Sequence, residues 1–247
     1  GMALYALGDM HLAFSVDKPM DRFGKVWVKH EEKIAKNCGR MLQDGDTFVI
    51  TGDHSWGRKL PEAEKDLDFI AELPGRKILL RGNHDMFWDA KKTSSLNQAY
   101  ASRLCFLQNN YYSYRDYALV GTKGYTFEGP FWVDSRGQIV GWNEEDERRA
   151  QNLVNREAER LRVSFEAARS DGFTKYVLFL HYPPTNVLEG ESVFTQMAEE
   201  YGAEHVVYSH CHGEARFGDS IRGKYHGIQY HLVSGDYLNF KPEKILP

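Results

Sequence analysis

Short apolar runs alternate with polar, helix-length segments along the first third of the chain. Ala3 to Leu7 is almost wholly apolar and stops at Gly8-Asp9, which predicts a short buried strand. Arg22 to Gln43 carries Val26, Ile34, Met41 and Leu42 among charged positions and predicts a long helix. Asp44-Gly45-Asp46 is a turn, and the β-rich run Thr47 to Ile50 predicts a second strand ending at Gly52-Asp53. Leu60 to Leu73 predicts a helix with Pro61 near its start, where proline is tolerated, and Pro74-Gly75 breaks it. Lys77 to Leu80 is a third strand, ending at Gly82-Asn83-His84-Asp85. Strands and helices in this alternation predict an α/β fold, whose ligand crevice lies at the carboxyl ends of the strands.

The pattern changes in the middle of the chain. Tyr111 to Tyr114 and Tyr117 to Val120 predict a hairpin. Gly124 to Trp142 is rich in glycine and aromatic residues and has no clear period. It is expected to be a lid or platform over the crevice, or a loop packed by its own rings. Glu144 to Ser170 predicts a long charged helix, with Leu153, Val154, Leu161, Val163 and Phe165 as apolar positions. Strands resume at Lys175 to Leu180, which ends at His181, at His205 to Tyr208, just before His210, and at Gly227 to Val233. No repeat, low-complexity tract or linker interrupts the chain, so a single domain over residues 2–247 is expected, with Gly1 as an expression scar.

Composition narrows the function classes. A chain of 247 residues can bury a substantial core. The net charge of -4 gives no global attraction for nucleic acid or anionic membranes. Cys38, Cys105 and Cys211 show no paired spacing, which argues against a disulfide framework and for a reducing, cytoplasmic location. The apolar start is too short for a signal peptide core, and no run approaches the roughly 18 apolar residues of a membrane span.

Five strand ends finish in residue types that bind metals: Asp9-Met10-His11, Gly52-Asp53, Gly82-Asn83-His84-Asp85, His181, and His210-Cys211-His212. Each alone is a common turn or a solvated histidine. Together, carboxylate, amide and imidazole groups suit divalent metals of intermediate character. In this order the residues resemble the calcineurin-like metallophosphoesterase superfamily, from Asp9 to His212, with Gly-Asn-His-Asp the most specific element. One departure is Ser209, where the family usually has glycine.

The resemblance implies a four-layer α/β/β/α sandwich of two mixed sheets. It also implies two divalent ions, drawn from Mn, Fe, Zn, Co or Ni. One ion would take Asp9, His11 and His212, the other Asn83, His181 and His210, and Asp53 would bridge them. Two such ions acidify a shared water and clamp the phosphate, so the implied reaction is in-line attack of a metal-bridging hydroxide on a phosphomonoester or phosphodiester. His84 would protonate or stabilise the leaving oxygen, and Asp85 would orient His84. Asp9 and His11, like His210 and His212, are expected to alternate on extended backbone so that each pair points one way. Cys211 would then point away and pack as a small buried residue.

Residues flanking these loops are candidates for substrate contact: His54, Arg58, Trp88 and Tyr182, with Trp56 and Phe87 beside them. An apolar residue would be expected at His54, which could instead be a packed histidine. His30, His205, His226 and His231 read as structural, although the last two lie where a strand could bring one near the site. The expected partner is a small phosphate ester, not a membrane or nucleic acid, and no oligomeric state is specified. Two rival readings are a nuclease, which the acidic balance disfavours, and a non-catalytic scaffold, which would not need the full ligand set.

Overall fold

The computed structural model, which describes residues 2–126, 132–133, 135–136, 139–140 and 143–247, resolves the alternating pattern into two sheets. In chain order the first elements are β1 (Leu4–Leu7), α1 (His30–Met41), β2 (Thr47–Ile50), α2 (Leu60–Glu72), β3 (Arg76–Leu80), α3 (Thr93–Ala99) and β4 (Cys105–Leu107). Next come β5 (Tyr112–Tyr114), β6 (Tyr117–Thr122), the short pair β7 (Trp132–Val133) and β8 (Ile139–Val140), α4 (Glu144–Ser170) and β9 (Lys175–Leu180). The chain finishes with α5 (Val193–Tyr201), β10 (His205–Tyr208), α6 (Glu214–Asp219), β11 (Gly223–Tyr225), β12 (Ile228–Leu232) and β13 (Glu243–Leu246).

The first sheet runs β13-β1-β2-β3-β4, parallel except for β13. The second runs β11-β12-β10-β9-β6-β5, with four parallel central strands and antiparallel edges. Alternation within strands builds the layers. Leu4, Ala6, Val49, Ile78 and Leu80 meet Leu119, Val177, Phe179 and Val207 in one cluster between the sheets. Their neighbours Tyr5, Leu7, Phe48, Ile50 and Leu79 face α1, α2 and α3 through Ile34, Cys38, Leu67, Ile70 and Leu96. On the other outer face Tyr176, Leu178, Leu180, Val206 and Tyr208 pack against Leu161 and Phe165 of α4 and Phe194 and Met197 of α5. This is the expected four-layer α/β/β/α arrangement. Strands buried on both faces explain the near-continuous apolar runs in the sequence.

One expectation needs correction. The helix expected over Arg22 to Gln43 is confined to α1. Before it lie short 3-10 turns at Asp21–Phe23 and Lys25–Trp27. Gly24 at φ 131° and Lys29 at φ 50° take the chain out of the right-handed helical region. Much of the segment Gly124 to Trp142, expected to be a lid or platform or a loop packed by its own rings, lies outside the described residues. Among the described residues no helix is long and apolar enough to cross a membrane.

The sheets converge at the ends that carry the polar loops. Gly8 N–H donates to Val233 O at 2.8 Å, and Thr51 Oγ1 donates to Ser209 Oγ at 2.8 Å. A Cβ on Gly8 would overlap the Thr51 and Ser209 side chains, so glycine is required where the two edges touch. Ser209 fits in place of glycine because its hydroxyl forms this cross-sheet link.

Candidate metal centre

Asp9 and His11 follow β1, Asp53 follows β2, Asn83 to Asp85 follow β3, His181 follows β9, and His210 and His212 follow β10. Asp9 (φ 58°), His11 (φ 43°), Asp53 (φ 57°) and His210 (φ 73°) all adopt left-handed backbone. The two pairs therefore converge through strained turns and not by alternation along an extended strand, which corrects the geometric expectation. Backbone strain held by surrounding hydrogen bonds is a mark of functional loops. Here Asp9 N–H donates to Gly52 O and His11 N–H to Asp53 O.

Asp9, His11 and His212 form one group whose ligand atoms lie within 4.8 Å of one another. Asp9 Oδ2 accepts the His210 backbone N–H at 3.1 Å, while its Oδ1 is buried with no hydrogen-bond partner among the described residues. A buried carboxylate oxygen without a donor is costly unless a cation faces it. Burial pushes the Asp9 carboxyl up to about 6 against the pull of His212 and His181. Burial brings His11 down to about 3, against the pull of Asp53. His212 Nδ1 lies 2.9 Å from Asp236 Oδ1, which leaves Nε2 to face Asp9 Oδ1 at 3.9 Å. A carboxylate behind a histidine in this way fixes the tautomer of a metal-ligating imidazole.

Asp53, His181 and His210 form the second group, also within 4.8 Å. His181 Nδ1–H donates to Thr51 O at 2.8 Å, so Nε2 is turned toward Asn83 Oδ1 at 2.8 Å, Asp53 Oδ2 at 3.3 Å and His210 Nδ1 at 3.3 Å. Burial opposes the charge on His181, but Asp53 and Asp9 outweigh it and raise the ring to about 9. Burial likewise opposes ionisation of Asp53, but His181, His11 and His84 hold its carboxyl well below the usual range. Asp53 Oδ2 also lies 3.5 Å from His11 Nε2, so a single oxygen stands between the two groups. The donor sets and the orphaned oxygen fit divalent ions.

The other candidates separate sharply. The His84 ring makes no hydrogen bond to a described residue and lies 4.7 Å from the Trp56 ring and 5.7 Å from the His11 ring. The Asp85 carboxylate, expected to orient the His84 ring, makes no hydrogen bond to it. The Asp85 carboxylate is buried and accepts backbone N–H groups from Asp53, His54 and Gly82 at 2.8 Å and from Ser55 at 3.3 Å. His54 is no substrate contact either: it is fully buried, with Nε2 2.7 Å from Leu80 O, in the place where an apolar residue was expected. Trp88 is a core residue, 2% exposed, donating to Thr93 Oγ1 and packed edge-on against Phe106. Tyr182 does reach the site, its ring 4.4 Å from that of His210. Arg58 lies exposed just before α2, and its backbone N–H donates to Glu62.

Cys211 packs in the outer core of the second sheet, as expected. His226 pairs with Glu199, while His231 pairs with His205 and Glu243, so neither reaches the ligand groups. Sequence reasoning missed Asp236, which follows Gly235 like any turn acid, and Trp27, whose ring lies 5.7 Å from His11 and 5.8 Å from His212. Nothing in the sequence marks either as part of the site.

A family model described as calcineurin-like phosphoesterase matches residues 2–214. No curated protein matches the sequence. Among solved structures, the phosphopantetheinyl hydrolase from Mycobacterium tuberculosis is similar at 14% identity, covering 100% of this chain and 96% of that one, with a TM-score of 0.53. A protein from Thermus thermophilus is 11% identical over 98% and 97% of the two chains, with a TM-score of 0.53. A protein of unknown function from Aquifex aeolicus is 15% identical over 99% and 96%, with a TM-score of 0.50. At these identities the likeness is one of fold.

Proposed function

Because this chain belongs to the calcineurin-like phosphoesterase family, we propose that it hydrolyses a phosphomonoester or phosphodiester of a small molecule at a centre of two divalent ions. The observation that carries this reading is the position of Asp53 Oδ2, 3.5 Å from His11 Nε2 in one ligand group and 3.3 Å from His181 Nε2 in the other. Asp9, His11 and His212 would hold one ion, Asn83, His181 and His210 the other, and Asp53 would face both. The ions, when bound, supply a water acidified toward neutral pH and positive charge against the phosphate oxygens.

The chain's own groups do the rest. Thr51 O and Asp236 fix the His181 and His212 rings so that one nitrogen of each faces inward. His84 has a ring nitrogen available to give a proton or hydrogen bond to the leaving oxygen. Trp56 and Tyr182 flank opposite ligand groups, through His11 and His210. The net charge of -4 favours a small ester over nucleic acid.

Metal analysis of the purified protein, followed by a screen over phosphate mono- and diesters with manganese, cobalt, nickel and zinc, tests the proposal. A phosphopantetheinyl ester belongs in the screen because of the Mycobacterium tuberculosis neighbour. Bound divalent metal and hydrolysis of p-nitrophenyl phosphate or its bis ester are expected. Failure with every metal overturns the proposal, and cleavage of single-stranded DNA alone replaces it with a nuclease.

A further inference from the structure

A cavity of about 380 Å³ lies beside His11, and no residue of the second ligand group lines it. His11 and Trp27 form its inner wall, and Trp27 also touches the His212 ring, so the cavity abuts the first group directly. Lys18 stands at the mouth, its Nζ 4.4 Å over the Trp56 ring. Trp56 stacks on His11 at 4.9 Å and lies 4.7 Å from His84, so the group placed at the leaving oxygen is two ring contacts from the cavity wall. The rim exposes apolar surface: Phe14 and Val28 are each 46% exposed although both line the cavity. Lys29, beside Val28, holds left-handed backbone that a lysine rarely adopts, and this fixes how the rim turns into α1. Phe14, Trp27 and Val28 share the lining with the charged Lys18, Asp21, Lys29 and Glu31, and a concave site of this size and mixed lining beside a ligand residue suits an organic group.

We propose that this cavity is the leaving-group subsite and that the substrate is the phosphate ester of an alcohol with a sizeable aryl or alkyl body. The proposal rests on the phosphoesterase reading and adds the chemical class of the alcohol. With the phosphate at the ligand groups, the ester oxygen is presented to His84 and the apolar body lies along Trp27 between Phe14 and Val28. A methyl or hydroxyalkyl ester would leave that surface wet and gain nothing from it.

The test compares naphthyl phosphate with methyl phosphate on the manganese-loaded enzyme. In parallel, calorimetry compares binding of naphthylphosphonate and methylphosphonate, which are not hydrolysed. The double variant Phe14→Ser, Val28→Ser is expected to raise KM for naphthyl phosphate about tenfold and to weaken naphthylphosphonate to the same degree, with the methyl compounds unchanged. Val28→Trp, which fills the mouth, is expected to give the same selective loss. Equal binding of the two phosphonates by the wild-type protein, or equal weakening of both in the variants, overturns the subsite. An enzyme that turns over neither ester overturns the phosphoesterase reading, while the phosphonate measurements still decide the cavity.

Discussion

The carboxylate of Asp85 accepts the backbone N–H groups of Asp53 and His54, each at 2.8 Å. With its bonds from Ser55 and Gly82, it ties the loop after β3 to the loop after β2. Asp53 returns the link, its Oδ1 accepting the His84 backbone N–H at 2.9 Å. Asp85→Asn replaces one acceptor oxygen with an NH2 group that faces buried N–H donors. We expect it to cost about 2–4 kcal/mol of stability and to lower metal content, because Asp53 loses its setting. Urea unfolding and metal analysis check this. A variant with normal stability and metal but reduced kcat would restore Asp85 as the residue that orients His84.

The His84 ring stands apart from the ligand groups, with aromatic neighbours and no hydrogen bond to a described residue. His84→Ala is expected to lower kcat about 10²- to 10⁴-fold while both ions stay bound. Turnover of p-nitrophenyl phosphate beside metal analysis of the same sample reads both quantities. Metal loss in parallel with activity would make His84 a ligand or a support of one.

The strand ends were legible because each strand carries a dense apolar run and each polar loop begins within a few residues of it. The set of ligand types was legible for the same reason. Their convergence was not, since it depends on left-handed backbone at Asp9, His11 and His210, which alternation along the chain does not reveal. His54 and Trp88 sit among functional residues in sequence but are turned inward by the Leu80 carbonyl and by Thr93 with Phe106. Position beside a motif does not say which face of a loop a side chain takes. The strands β4 and β13 and the helices α3 and α5 are short, and their apolar patterns carry too few periods to read.

Asp236 holds His212 Nδ1 at 2.9 Å from more than twenty residues away in sequence. Asp236→Ala frees the imidazole to rotate and lowers its basicity as a ligand. Metal affinity of the first group is expected to fall about 10- to 100-fold, with the fold intact. Competition against a chelating dye measures the change. Unaltered affinity would show that His212 is positioned by Asp9 and Trp27 alone.

Lys123 is a half-buried lysine outside the ligand groups. Burial, and then the charges of Arg81, Arg156 and Arg160, bring its ammonium down from 10.5 to about 8, with Glu157 pulling the other way. Glu157 is already engaged by Arg160 at 2.7 Å and by the Thr122 hydroxyl at 2.8 Å. Because the folded value lies below the unfolded one, the charged lysine disfavours folding at all pH below about 8. The penalty fades between that pH and 10.5, as the unfolded chain also loses its proton. Lys123→Met keeps the side-chain length and the backbone carbonyl that accepts the His181 and Tyr182 N–H groups. It is expected to stabilise the protein by at most about 3 kcal/mol at pH 7, with the gain gone by about pH 11. Denaturant titrations at the two pH values measure this. A variant less stable than wild type at pH 7 would mean that the ammonium is held by a favourable partner, and the burial argument would fail.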